Sequence, residues 1–174
     1  MKKEKYMSWD CYFMAVAILS SFRSKDKKTQ NGACIVNAHK RIVGVGYNGL
    51  PRGLSDELPH VWEDEDDKNI YCSKHTYVIH AEQNAIHNRI SQNLEDATLY
   101  VTQFPCKECT KSIVQVGIKK VVYLRKKLNH EEENKAAELM FRSAEIEYIS
   151  FNDLDIEDKE FVTLLTQTNE FYEN

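Results

Sequence analysis

Two short stretches restrict this chain more than its size does. His80-Ala81-Glu82 follows the apolar run Tyr77-Val78-Ile79, and Pro105-Cys106-Lys107-Glu108-Cys109 follows the β-branched run at 97–102. Each opens a segment with helical periodicity. Cys106 and Cys109 stand at i and i+3 and therefore share one helical face. A proline before the first cysteine suits a helix start. The exposed amides and positive dipole end there favour thiolates. Two thiolates from one first turn make half of a tetrahedral zinc site. A histidine at a second helix start adds a third ligand and leaves the fourth position open, as in catalytic rather than structural zinc. Glu82 can touch whatever fills that position without being a ligand. Taken singly, a core histidine and a helix-start carboxylate are commoner explanations, and a pair of core cysteines is as common as a metal-binding pair. Their combination in this order points to a catalytic metal held between two helix N-termini.

The rest of the chain supplies a frame for two such helix starts. Residues 9–23 are apolar almost all round and predict a buried helix. Residues 33–38 and 41–47 are β-branched runs that predict a hairpin. After them come a helix at 80–91, a strand at 97–102, a helix at 106–116, a strand at 119–124, a helix at 131–145, a strand at 146–151 and a last helix at 158–172. Residues 48–76 read as irregular, with the charge run 63–68 as a solvated loop. This alternation predicts a three-layer α/β/α sandwich around a mixed five-stranded sheet, parallel in its second half.

Composition narrows the function. A length of 174 residues with 42% hydrophobic residues suits one domain over 1–174. The net charge of −4 argues against a nucleic-acid partner. No run is long and apolar enough to span a membrane. The start MKKEKYMSWD has no apolar signal segment, so the expected compartment is the cytoplasm. Five cysteines without a secretory signal do not suggest a disulfide framework. Cys72 and His75 form a C-x-x-H with His60 nearby, but no four-ligand set is visible, so the expectation is one zinc per chain.

The order H-x-E then P-C-x-x-C is shared by zinc-dependent nucleobase deaminases. More specifically, SWDCYFMAVAILSSFRSKD, TQNGACIVN, IVGVGYNGLPRGLSD, YVIHAEQNAI and LYVTQFPCKECTKSIVQVGIKKVVY resemble the deoxycytidylate deaminase family, from about Ser8 to Tyr123 and more weakly to Phe151. The resemblance implies a cytidine-deaminase-like sandwich that hydrolyses dCMP to dUMP and ammonia. It implies zinc on His80, Cys106 and Cys109, with Glu82 as the proton shuttle. Asn48 would hold the sugar and the Ala81 backbone the pyrimidine carbonyl, with Arg23 and Ser24 at the 5′-phosphate. It implies that the loop bearing Gly46, Tyr47, Asn48, Gly49 and Arg52 holds a nucleotide triphosphate effector, accompanied by Mg2+, with dCTP activating and dTTP inhibiting. It also implies a homo-oligomer, a hexamer by family habit. The chain departs from the family pattern at Lys27 and Asn31, where proline and valine are common. It departs again after Tyr123, where LRKKLNH replaces a tyrosine-containing segment, and Lys126 and Lys127 there either serve the phosphate end or are plain surface. Two other readings remain, a tRNA adenosine deaminase and a catalytically silent zinc-stabilised assembly domain. The acidic balance weighs against the first and the intact Glu82 against the second.

Overall fold

The computed structural model describes residues 1–63 and 69–167. Its first helix, α1 (Trp9–Ser21), is capped by Ser8, whose hydroxyl accepts from the Cys11 amide at 3.3 Å. Ser8 in turn donates from both its amide and its hydroxyl to Asp158, each at 2.7 Å. That clamp seats α6 (Lys159–Gln167) against α1.

Five strands form one sheet: β1 (Gly32–Val36), β2 (Ile42–Tyr47), β3 (Thr98–Gln103), β4 (Lys120–Arg125) and β5 (Glu147–Ser150). Their order is β2-β1-β3-β4-β5. β1 runs antiparallel to both of its neighbours, and β3, β4 and β5 run parallel. The remaining helices are α2 (Lys74–Tyr77), α3 (Ala81–His87), α4 (Lys107–Gln115) and α5 (Glu131–Ser143). Alternate strand residues go to opposite faces, and both faces are covered. Ala33, Ile35, Leu99, Val101 and Val121 join the core under α3, α4 and α5. Cys34, Val36, Tyr100 and Val122 join the core under α1 and α6. The mixed five-stranded sandwich expected from the sequence is the fold observed.

Three local expectations change. The 9–23 segment is not buried all round: Trp9, Tyr12 and Leu19 are exposed, because α1 is an outer layer that turns only one side to the sheet. The helix expected over 80–91 ends at His87, because the chain then turns to let the Ile90 amide donate to the Val43 carbonyl at 2.8 Å, beside β2. The segment 48–76 contains a 3₁₀ turn at Ile70–Cys72 as well as α2. Most of the charge run, residues 64–68, and the last part of the final helix, from 168 on, lie outside the described residues.

Two glycines of β2, Gly44 and Gly46, set how close α3 comes to the sheet. A Cβ built on Gly46 would lie 2.3 Å from the Ala85 nitrogen and 2.4 Å from the Ala81 oxygen. Only a residue without a side chain lets β2 pass this near the first turn of α3.

Candidate active site

His80 is the N-cap of α3 and Cys106 the N-cap of α4, both with extended backbone. Cys109 lies one turn into α4 and is fully buried. These two helix starts converge. His80 Nδ1 is 3.3 Å from Cys109 Sγ and 3.5 Å from Cys106 Sγ. Donor atoms bound to zinc at about 2.0–2.3 Å lie about 3.3–3.8 Å apart at tetrahedral angles, so the set fits that ion. Glu82, on the first turn of α3, is buried. It shares the wall of a cavity of about 450 Å³ with His80 and Cys106.

The electrostatics suit a metal. Cys106 is pulled down to about 4, first because the Cys109 thiol hydrogen-bonds to it and then because His80 does, both against burial. Cys109 is pushed up because it is the donor in that pair and is itself buried. His80 is raised to about 9, chiefly through its hydrogen bond with Cys106. Without a metal the three groups therefore rest as one imidazolium, one thiolate and one thiol. Zinc needs a neutral imidazole and two thiolates, so uptake near neutral pH displaces about two protons. Burial also raises the Glu82 carboxyl above the ordinary glutamate range, as a group that must both take and give protons requires.

Asn48 stands on the same cavity. Its Oδ1 accepts from the Asn31 amide at 2.8 Å and its Nδ2 donates to the Thr29 carbonyl at 2.9 Å, so it also ties the 29–31 segment to the end of β2. Ala81 sits at the first position of α3 with its methyl group wholly in the core. The structure adds a pair that sequence reasoning missed. Lys74 Nζ and Asp26 Oδ1 are 2.8 Å apart in the cavity wall, both almost fully buried. Asp26 belongs to the RSKD stretch, but nothing local to it points to a lysine 48 positions on. Lys127 lines the cavity as well, whereas Lys126 pairs with Glu138 and lies 4.5 Å from the centre of the Phe104 ring.

Two residues expected at the substrate phosphate do not line the zinc cavity. Arg23 lines a second cavity of about 390 Å³, with its guanidinium carbon 6.0 Å from the Tyr47 ring centre. Ser24 spends its hydroxyl on the Asn48 carbonyl at 2.8 Å. The second cavity also takes in Tyr47, Gly49, Arg52 and Asn84, which gathers most of the expected effector loop. Gly46 is not part of it, since the backbone of α3 covers its Cα. Gly53, with φ of 97°, is the position in this loop that needs glycine for its backbone. His75 lines the first cavity.

Residues 7–125 match the family model described as the cytidine and deoxycytidylate deaminase zinc-binding region. The chain belongs to this family. Deoxycytidylate deaminase of Mus musculus is 47% identical over 150 residues, covering 86% of this deaminase and 83% of the mouse protein. The Homo sapiens enzyme is 46% identical over 151 residues, with the same coverage of 86% and 83%. Among solved structures, dCMP deaminase from the cyanophage S-TIM5 in complex with dCMP and dUMP superposes with a TM-score of 0.65 at 27% identity, covering 80% of this deaminase and 94% of that chain. No helix of the described residues is long and apolar enough to cross a membrane.

Proposed function

We propose that this deaminase hydrolyses dCMP to dUMP and ammonia, with one catalytic zinc on His80, Cys106 and Cys109. The observation that carries the chemistry is the convergence of those three donors beside buried Glu82. The substrate is assigned from the relatives that share almost half of the aligned residues. Bound zinc supplies a Lewis acid and a water acidified to a pKa of about 7. Glu82 would accept a proton from the attacking water and pass it to the ring nitrogen, then take the proton of the newly added hydroxyl as that becomes the carbonyl and deliver it to the departing amine, which leaves as ammonia. Its buried position keeps bulk water from competing for those protons. Asn48 positions the sugar, and the Ala81 amide at the mouth of α3 donates to the pyrimidine carbonyl. Lys127, in the same wall, takes the phosphate end that Arg23 does not reach.

In this reading the second cavity is the effector site. Arg23 and Arg52 offer guanidinium forks to a triphosphate, Tyr47 a ring face, and Asn84 an amide. The route to the first cavity is short, because Asn84 lies on α3 and donates to the Tyr47 carbonyl at 2.8 Å. We assign dCTP as activator and dTTP as inhibitor, each delivered with Mg2+. The effect of each is limited by its differential affinity for the two states. The chain acts in the cytoplasm as a single domain within a homo-oligomer, a hexamer.

The test is ammonia release from purified protein given dCMP, deoxycytidine or tRNA. Turnover of dCMP far above the other two is expected. Preference for tRNA, or silence with all three, overturns the reading.

A further inference from the structure

Two polar side chains in the wall of the first cavity have nothing in the protein to bond. Thr29 and Asn31 line it together with Asn48, and both are half-buried. Among the described residues, neither the Thr29 hydroxyl nor Asn31 Nδ2 has a hydrogen-bond partner. No side-chain polar atom lacking a partner is sealed from solvent, so these two groups open into the cavity. We propose that this deaminase also accepts the ribonucleotide CMP, with Asn31 Nδ2 donating to the ribose 2′-hydroxyl and the Thr29 hydroxyl accepting from it. This second substrate presupposes the deaminase reading of the same cavity.

The backbone holds both groups beside Asn48. The Asn31 amide donates to Asn48 Oδ1 at 2.8 Å, and Asn48 Nδ2 donates to the Thr29 carbonyl at 2.9 Å. The Asn48 amide closes the unit on the Asn31 carbonyl at 3.2 Å. Asp26 anchors the segment from behind, since its Oδ1 accepts from the Thr29 amide at 3.1 Å and from Lys74 Nζ at 2.8 Å. The Asn31 carboxamide has one orientation that leaves nothing stranded. The buried Thr102 hydroxyl accepts from the Gly32 amide at 3.0 Å and donates to Asn31 Oδ1 at 3.3 Å. Turning the carboxamide over would orphan that hydroxyl hydrogen. Nδ2 is therefore the atom left for a ligand.

Asn48 is the residue that positions the sugar. Deoxyribose carries one hydroxyl on its C2′–C3′ edge, whereas ribose carries two, adjacent and on the same face. A 2′-hydroxyl is both donor and acceptor. One free donor and one free hydroxyl beside Asn48 match it. A wall that had only to cover a C2′ methylene would be apolar. The competing explanation is that water satisfies both groups and that Asn31 serves through its backbone alone. The chemistry needs no further group: water adds to the same amidine carbon, and UMP and ammonia leave.

Initial rates of ammonia release from CMP and from dCMP, measured on the same purified protein, test the proposal. An apolar wall rejects an added hydroxyl by about 10²-fold. The kcat/KM for CMP should lie within that factor of the value for dCMP, and a larger gap overturns the proposal. The ratio of the two values should then fall about fivefold in Asn31→Val, the worth of one neutral hydrogen bond. Because the readout is a ratio, general damage to the site cancels. Should Asn31→Val fail to fold, Thr29→Val removes only the hydroxyl and should lower the ratio by about the same factor. An unchanged ratio in the folded variant overturns the assignment. Ammonia from dCMP with none from CMP sinks this second substrate and leaves the deaminase reading standing. Silence on both nucleotides sinks both.

Discussion

Replacing Gly46 by alanine should damage both stability and catalysis, through one cause that can be read from distances. The new Cβ would meet the Ala85 nitrogen at 2.3 Å, the Ala81 oxygen at 2.4 Å and the Asn84 carbonyl carbon at 2.8 Å. Ordinary contacts are about 3.5 Å, so the two shortest fall about 1 Å short. All three atoms are backbone, and no side chain can swing aside. Helix α3 must therefore lift from β2 by about this amount. His80 caps that helix and Glu82 is its second residue, whereas Cys106 and Cys109 ride on α4 and stay. Overpacking of this kind costs about 1–3 kcal/mol. A misplacement of about 1 Å at a reacting group costs about 10²-fold in rate. Urea denaturation should show the stability loss and initial rates on dCMP the kinetic one. If Gly46→Ala keeps wild-type stability and unregulated rate and loses only its response to dCTP, Gly46 serves the effector and the packing argument is wrong.

Glu82→Gln should bind zinc and fold as the wild type does while turnover falls by about 10²–10⁴-fold; metal content and ammonia release measured together check it. Arg52→Ala and Arg23→Ala should flatten the response to dCTP and leave the KM for dCMP in the activated state unchanged, and a raised KM in Arg23→Ala would return that residue to the substrate phosphate. Lys74→Ala removes the buried charge partner of Asp26, whose carboxylate keeps its bonds from the Lys28 and Thr29 amides at 2.9 and 3.1 Å, and should lower stability in chemical denaturation by less than the about 3–5 kcal/mol of a fully unpaired buried charge. The metal-free protein should carry its imidazolium–thiolate pair in a bounded pH window. Cys106, lowered from 9.0 to about 4, contributes stability that is lost as pH falls through about 4. His80, raised from 6.5 to about 9, contributes stability that is lost as pH rises through about 9. Thiolate absorbance across pH should show one thiolate between those limits, and denaturation midpoints should fall as pH drops from about 6.5 toward about 4.

The strand and helix segments were legible in the chain because their signals are local. The two-residue period of Ala33–Val36 and Leu99–Val101 separates residues that the structure sends to opposite cores. The helix starts at His80 and Cys106 were legible for the same reason, since i, i+3 spacing puts two thiols on one face whatever surrounds them. The boundaries that slipped depend on distant partners, as where Ile90 leaves α3 to meet Val43.

The sequence by itself marked the alternating elements and the candidates His80, Glu82, Cys106 and Cys109, because each of those signals lies within a few residues. Only the tertiary structure decided which loop faces which cavity. Arg23 and Asn48 lie 25 positions apart on segments tied together through Ser24, yet one lines the second cavity and the other the first. Gly46 looks like a ligand-loop glycine until α3 is laid across it. Asp26 with Lys74, and Cys72 with His60 and Glu63, meet through chain reversals that no short-range period records. Such pairings depend on how loops close over a packed sheet, and that closure is a property of the whole fold.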